Sequence, residues 1–245
     1  MKSQLYCNYG LITILNFLVF LPLFQEKSEA QVFSSTKFSE FAFQSVEGGV
    51  VNSVFDSKSK NLSPLILDNR ATISNWALVY FSPTTEIRIS FGKTQENSGS
   101  GNYFLGTAGY LIHDFPLVTS YKPLKIPLSV LTDFTSWKRK GENNSDKFEA
   151  SSIGLQSGLS FNQNWKAAQI FATILVGAGF GISSVGYETG SELRGSGSFR
   201  TFFPELWSGM GISVSIQSEF QRWSLGGKNG ELNLIAHQLT AGVCW

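Results

Sequence analysis

Two histidines are the side chains of this chain best suited to act as general bases near neutral pH. His113 precedes Asp114, but adjacent strand residues point to opposite faces, so we predict two solvated residues at a turn and no base–carboxylate pair. His237 falls on the otherwise apolar face of a predicted strand. Ser218, on the same face of the preceding strand, could in principle supply a hydroxyl. No motif joins the two, and we expect His237 to be an interfacial residue without a catalytic role.

No other pattern of reactive side chains predicts an enzyme. The sequence contains no Gly-x-Ser-x-Gly elbow, no His-Glu-x-x-His, no phosphate-binding Gly-Lys-Ser/Thr loop and no paired-cysteine metal spacing. Three acidic residues, Glu142, Asp146 and Glu149, could attract a divalent cation, but four basic residues flank them, which favours a solvated loop: Lys138, Arg139, Lys140 and Lys147. We predict no enzymatic activity and no catalytic, cofactor-binding or metal-binding residue, and we expect no cofactor.

The first 30 residues predict export. Lys2 begins a short basic region, residues 10–24 are uncharged and apolar, and Ser28-Glu29-Ala30 has small residues where a signal peptidase reads them. An uncleaved anchor is the alternative, but the apolar run is shorter than the roughly 20 residues that span a bilayer. We predict a signal peptide over residues 1–30 and a single domain over residues 31–245. Cleavage removes Cys7 and leaves Cys244, so no intramolecular disulfide can form.

Composition favours an all-β chain without a nucleic-acid partner. The chain has 24 Gly and 21 Phe, and only 15% of its residues are charged. Glycines and aromatics at even spacing are typical of all-β architectures. The net charge of +1 comes without a basic patch, so we predict no binding to nucleic acid.

The C-terminal residues alternate cleanly. Counting back from Trp245, Val243, Ala241 and Leu239 are apolar, while the residues between them are small or polar. A strand that ends on an aromatic residue, with one apolar face, is typical of a wall with lipid outside and polar packing inside. The same period-2 pattern appears near residues 86–92, 124–131, 153–161 and 210–221, with no charge in the middle of the apolar face.

Residues 165–185 are apolar enough to suggest a transmembrane helix. However, Gly177, Gly179 and Gly181 occupy every second position, and each would cost about 1 kcal/mol relative to Ala in a helix. On a strand they would form a smooth inner face against which bulky side chains pack. We therefore predict a strand.

Turn signals divide the chain into ten predicted strands, with eight as the alternative. The ten are 38–47, 73–81, 86–93, 103–113, 124–137, 147–161, 166–184, 196–203, 209–224 and 231–245. The longest predicted outer loop is 47–69, and 113–123 is a longish periplasmic connection. Aromatics at both strand ends predict two interfacial girdles: Phe81, Phe161, Trp165, Phe203, Trp207 and Trp245 at the short turns, and Phe91, Tyr103, Phe134, Trp137, Phe180, Phe220 and Trp223 at the long loops.

Five charged residues fall on the predicted inner face: Glu86, Arg88, Lys125, Asp133 and Glu219. A barrel of eight to ten strands is about wide enough for its own side chains to fill. Because unpaired buried charge is costly, we expect a paired network that plugs the lumen; a narrow ion path is the alternative.

The leader, the alternating strands and the closing Leu239-x-Ala241-x-Val243-x-Trp245 resemble the small outer-membrane β-barrel proteins of Gram-negative bacteria. The resemblance implies an antiparallel up-and-down transmembrane barrel in the outer membrane and a last strand read by the barrel-assembly machinery. We expect a monomer in contact with outer-membrane lipid, with a structural or surface-interaction role and a possible extracellular ligand at its outer loops. The alternatives are a small porin or transport conduit for ions or apolar molecules, an outer-membrane lipid hydrolase, and a soluble secreted β-sandwich.

Overall fold

The computed structural model describes residues 43–57, 70–96, 99–118, 121–139, 147–165, 168–183, 189–207, 210–225 and 230–245. They form ten strands: β1 (Ser45–Ser57), β2 (Arg70–Phe81), β3 (Thr85–Glu96), β4 (Gly99–Val118), β5 (Tyr121–Arg139), β6 (Lys147–Asn164), β7 (Gln169–Ser183), β8 (Thr189–Trp207), β9 (Met210–Leu225) and β10 (Gly230–Cys244). Across these ranges, no helix has the length and apolarity needed to cross a membrane. The predicted signal peptide lies outside the described residues, as do Glu142 and Asp146.

Each strand pairs antiparallel with its neighbour in sequence, and β1 pairs with β10, so the sheet closes into a barrel. The closing register places Ser45 opposite Cys244 and Val50 opposite Leu239. The predicted up-and-down topology and the count of ten strands are confirmed. Closure matters physically because it leaves no sheet edge with unpaired backbone groups.

The two faces of the wall differ as predicted. In β9, the outward Ile212 and Ile216 are 45% and 56% exposed, whereas Ser213 and Ser215 are buried inside the barrel. In β10, Leu239 and Val243 face outward, while Thr240 and Cys244 face inward. The same division holds in β3, β5 and β6. The outer wall is therefore apolar and the inner wall is mixed.

The strand prediction for residues 165–185 is confirmed by β7. Ile174, Val176 and Phe180 are exposed on the outside, and the three glycines face inward. A Cβ atom at Gly181 would lie 2.6 Å from Cζ3 of Trp223 and 2.4 Å from the carbonyl oxygen of Ser151. Glycine is required here because the indole lies directly against the wall.

The first predicted strand, 38–47, is wrong in its position. The structure places β1 at Ser45–Ser57, so the first part of the predicted loop 47–69 is a strand; residues 58–69 lie outside the described set. The inward face of β1 mixes Ser45 and Glu47 with Val51 and Phe55, so neither face shows a clean apolar alternation. Pairing with both β10 and β2 defines this strand, and local sequence does not.

The predicted bounds of the fourth and eighth strands are too short. β4 continues to Val118 and pairs with β5, so most of the predicted connection 113–123 is strand. The register shifts near His113 and again near Pro116, where the proline is accommodated. β8 extends from Thr189 to Trp207, so it begins before the predicted strand 196–203 and continues past Pro204. Its register shifts after Phe203. Gly195 and Gly197 occupy outward positions of β8, so the sequence there lacks the alternating apolar residues that mark a strand.

The predicted aromatic girdles are correct in part. Exposed aromatics lie at both ends of the wall: Trp165, Phe203 and Trp245 at the short turns, and Phe91, Phe180 and Phe220 at the long loops. However, Phe81, Tyr103 and Trp223 point into the barrel and are buried, because a position near a strand end does not say which face a residue occupies. The side chains of Trp137 and Trp207 lie outside what the structure describes.

Candidate functional site

Four charged side chains from four strands meet inside the barrel. Arg88 on β3 pairs with Glu219 on β9, and Glu219 also pairs with Arg194 on β8. Arg194 reaches on to Asp133 on β5, with Nη1 2.5 Å from Oδ2. Since β3 and β9, like β5 and β8, are not neighbours in the wall, the Arg88–Glu219 and Arg194–Asp133 contacts cross the lumen.

Polar neighbours surround this set, which together with Glu192 we call the charged layer. The Thr107 hydroxyl donates to Asp133 Oδ1 at 2.8 Å, and Gln221 Nε2 donates to Glu219 Oε1 at 2.7 Å. The hydroxyl of Ser152 donates to Glu192 Oε2 at 2.5 Å. The charged layer is almost completely buried, so each ion depends on its partners, and removal of one leaves the others uncompensated.

A second polar group, the Glu47 cluster, lies closer to the short turns. Glu47 accepts from Arg200 Nε at 2.9 Å and from the hydroxyls of Ser215 and Thr240, both at 2.7 Å. The Ser45 hydroxyl donates to the same carboxylate at 2.9 Å. All five side chains are buried, so the carboxylate is held by a cation and three hydroxyls away from solvent.

Apolar side chains close the lumen above and below these polar groups. Towards the outer loops, buried residues pack into one cluster: Phe55, Ile73, Tyr103, Leu105, Ala150, Trp223, Leu232 and Leu234. At the other end, Phe81, Phe202 and Cys244 form a floor, and the Arg200 guanidinium lies 3.9 Å from the centre of the Phe81 ring. A smaller apolar cluster, Val51, Ala77 and Ala236, also points into the lumen, so five groups of side chains occupy it within the described strands.

The structure brings together three of the five predicted inward charges. Arg88, Asp133 and Glu219 belong to the charged layer. Glu86 lies at the side of the Glu47 cluster, 3.6 Å from Arg200 Nη1, and is partly exposed. Lys125 is separate, because its Nζ pairs with Asp114 at 3.1 Å near the β4–β5 hairpin.

Sequence reasoning missed four inward charges: Glu47, Glu192, Arg194 and Arg200. The predicted outer loop 47–69 begins at Glu47, and Glu192 and Arg194 precede the predicted eighth strand, 196–203. The even-numbered positions from Glu192 to Arg200 do alternate as polar residues against Leu193 and Phe199, a signal that was available. The intervening outward Gly195 and Gly197 concealed it.

The predicted reactive groups are placed as follows. The His113 ring packs against Phe115, with centroids 4.0 Å apart, and Asp114 pairs with Lys125, so the two are not partners of each other. His237 and Ser218 lie opposite each other on the outer face, and Ser218 Oγ is 3.0 Å from His237 Nδ1. No group of three or more metal-ligating side chains occurs among the residues that the structure describes.

Comparisons with known proteins found similar solved structures but no similar sequence. No family model and no curated protein sequence matches the chain. Outer membrane protease OmpT from Escherichia coli is 8% identical, with a TM-score of 0.40, and the match covers 88% of this chain and 99% of that one. Ail, the attachment invasion locus protein of Yersinia pestis, is 14% identical, with a TM-score of 0.28, and the match covers 84% of this chain and 99% of that one. Neisserial surface protein A is 11% identical, with a TM-score of 0.29, and the match covers 82% of this chain and 95% of that one.

Identities of 8%, 14% and 11% and TM-scores of 0.40, 0.28 and 0.29 carry no argument about the fold, activity or ligands of this chain. The fold assignment rests on the strand pairing of the chain itself.

Proposed function

We propose that this chain is a bacterial outer-membrane β-barrel with a closed lumen and a structural or surface-interaction role. Its outer wall supports the location. Large apolar side chains stand out from the strands, including Ile174 at 68% and Phe180 at 78% exposure. Soluble monomers rarely expose a continuous apolar surface of this extent, whereas a lipid-facing wall requires one.

The charged layer is the observation that carries the closed lumen. Two of its ion pairs, Arg88–Glu219 and Arg194–Asp133, join strands that are not neighbours, and the cavity beside Asp133, Glu192 and Arg194 holds only about 10 Å³. That is about the volume of one water-sized probe. A steady path for ions would require these buried pairs to separate.

With the lumen filled, recognition would fall to the segments that join the strands at the outer end. We propose that these outer loops make the contacts of the protein with its surroundings. We also propose that the monomer is the working unit and that the assembly machinery of the outer membrane reads β10 together with Trp245, which follows it.

Two measurements on the detergent-extracted protein test the proposal. A closed barrel resists SDS until it is boiled, so its gel migration should change on heating. In planar bilayers the same sample should show no steady open channel. Steady single-channel steps would favour the small porin instead, and a protein that stays monodisperse without detergent would contradict the membrane location.

A further inference from the structure

A row of polar side chains interrupts the apolar outer wall. Ser218 on β9, His237 on β10, Asn52 on β1 and Ser74 on β2 are in register across four adjacent strands, and all four face outward and are exposed. One step towards the short turns, the outward positions are apolar: Ile216, Leu239, Val50 and Trp76. Polar and ionisable residues at a lipid-facing surface are costly, so a row of them calls for an explanation.

The geometry of the row is that of an activated hydroxyl. Ser218 Oγ lies 3.0 Å from His237 Nδ1, within hydrogen-bond reach of a base. When Nδ1 accepts the serine proton, the ring carries its other proton on Nε2. Asn52 is paired with His237 on the side away from Ser218, so an amide side chain stands on the strand next to the imidazole. The row therefore places a hydroxyl, a base and an amide on three adjacent strands.

A groove lies beside His237, on the side away from Ser218. Its volume is about 560 Å³, and His237, Asn52 and Ser74 line it together with Val50, Trp76 and Leu239. A mostly apolar groove with a few polar groups at one place suits an acyl chain whose polar end must be oriented.

The row lies midway along β9 and β10, inside the apolar wall and below an exposed charged pair. Arg222, exposed and paired with Glu231, is four residues beyond Ser218 towards the outer loops, and the outward Phe220 and Ile235 lie between. Four residues of a tilted strand rise roughly 10 Å. A lipid whose polar part contacts the charged pair would bring the first atoms of its acyl chains to the row.

We propose that Ser218 and His237 form a catalytic site that hydrolyses acyl esters of outer-leaflet lipids, with Asn52 as a positioning residue. Ser218 Oγ attacks the ester carbonyl while its proton passes to His237 Nδ1. The carbon–oxygen bond to the lipid alcohol breaks, and that alcohol leaves with the proton. Water then attacks the acyl-serine, again through His237, which releases the fatty acid and restores Ser218. This activity goes beyond the proposed structural role and would overturn our expectation that the chain is not an enzyme.

The test uses the full-length exported protein in mixed micelles with diacyl phosphatidylethanolamine, with fatty-acid release followed by mass spectrometry. Release should occur with the ester-linked lipid and not with its ether-linked analogue. Ser218→Ala should abolish release, and His237→Ala should lower it about 100-fold or more, the scale of general-base catalysis. A fluorophosphonate should add one mass increment to the wild type and none to Ser218→Ala.

Two further variants separate catalysis from folding. Ser224→Ala removes another exposed outward hydroxyl of β9 and should leave release unchanged. Asn52→Ala should lower kcat with little change in KM, and Asn52→Asp, which keeps an acceptor oxygen, should recover most of the rate. Heat-modifiable migration reports the barrel independently of the site. A wild-type barrel that migrates as folded but releases no fatty acid and takes no label would overturn the proposal, as would equal release by Ser218→Ala.

Discussion

Glu47 on the first strand accepts a 2.7 Å hydrogen bond from the hydroxyl of Thr240 on the last, across 193 positions of sequence. β1 and β10 are the two strands whose pairing closes the barrel. The same carboxylate binds Arg200 on β8, so a buried ion pair anchors the residue that makes the side-chain hydrogen bond across the seam. Closure therefore depends on a side-chain network as well as on strand pairing.

Loss of the Glu47 charge should destabilise the barrel strongly. Glu47→Gln leaves the buried Arg200 guanidinium without its close counter-ion, and removing one partner of a buried pair costs about 3–5 kcal/mol. Urea unfolding in micelles measures the change. Glu231→Gln is the matched control, because the Arg222–Glu231 pair is 45% and 35% exposed and such pairs contribute about 0–1 kcal/mol. Equal losses in the two variants would contradict a buried network at the seam.

Shortening the side chains of the charged layer should open the lumen. The double variant Arg194→Ala/Glu219→Ala removes the Arg194–Glu219 pair together with the contacts of these residues to Asp133 and Arg88, so space appears where those contacts cross the lumen. We expect measurable conductance in planar bilayers where the wild type has none. Arg222→Ala is the control: it removes an exposed arginine from the outer face and should show no conductance. A double variant as silent as the wild type would place the barrier elsewhere in the lumen.

Two glycines, Gly181 on the inner face of β7 and Gly195 on the outer face of β8, should differ sharply in their tolerance of alanine. A Cβ at Gly181 would meet the Trp223 ring at 2.6 Å, so Gly181→Ala should cost about 1–3 kcal/mol, the range for overpacking. The nearest atom to a Cβ at Gly195 is 4.0 Å away, and Gly195→Ala should be close to neutral. The midpoint of heat-modifiable migration compares the two. Similar midpoints would mean that Trp223 does not lie against β7.

A charge on the outer wall distinguishes lipid from water as the surroundings. Ile174 is 68% exposed and lies midway along β7, so Ile174→Lys should cost about 2–4 kcal/mol in a bilayer. Ser224→Lys, near the outer end of β9, should cost about 0–1 kcal/mol. Folding into lipid vesicles, followed by urea titration, gives both values. In a soluble protein Ile174→Lys would leave the free energy of unfolding unchanged. An unchanged value in vesicles would therefore contradict the membrane location.

The sequence by itself determined the class of fold and the faces of the clearest strands. Alternation is a local property: a residue and its second neighbour share a face, so β9, β10 and the glycine-lined β7 could be assigned without knowing their partners. The strands with small or mixed outward residues, β1 and β8, could not be assigned in this way, and the charges they carry were missed with them.

Only the tertiary structure decided which inward charges meet and where the outer hydroxyl and imidazole lie. Glu47 and Arg200 are 153 positions apart, and Arg88 and Glu219 are 131 apart. Their contacts depend on the stagger of ten strands around a closed circumference, and a single shift in register would turn each side chain to the opposite face. Because register is a property of paired strands, no single strand of the sequence contains it.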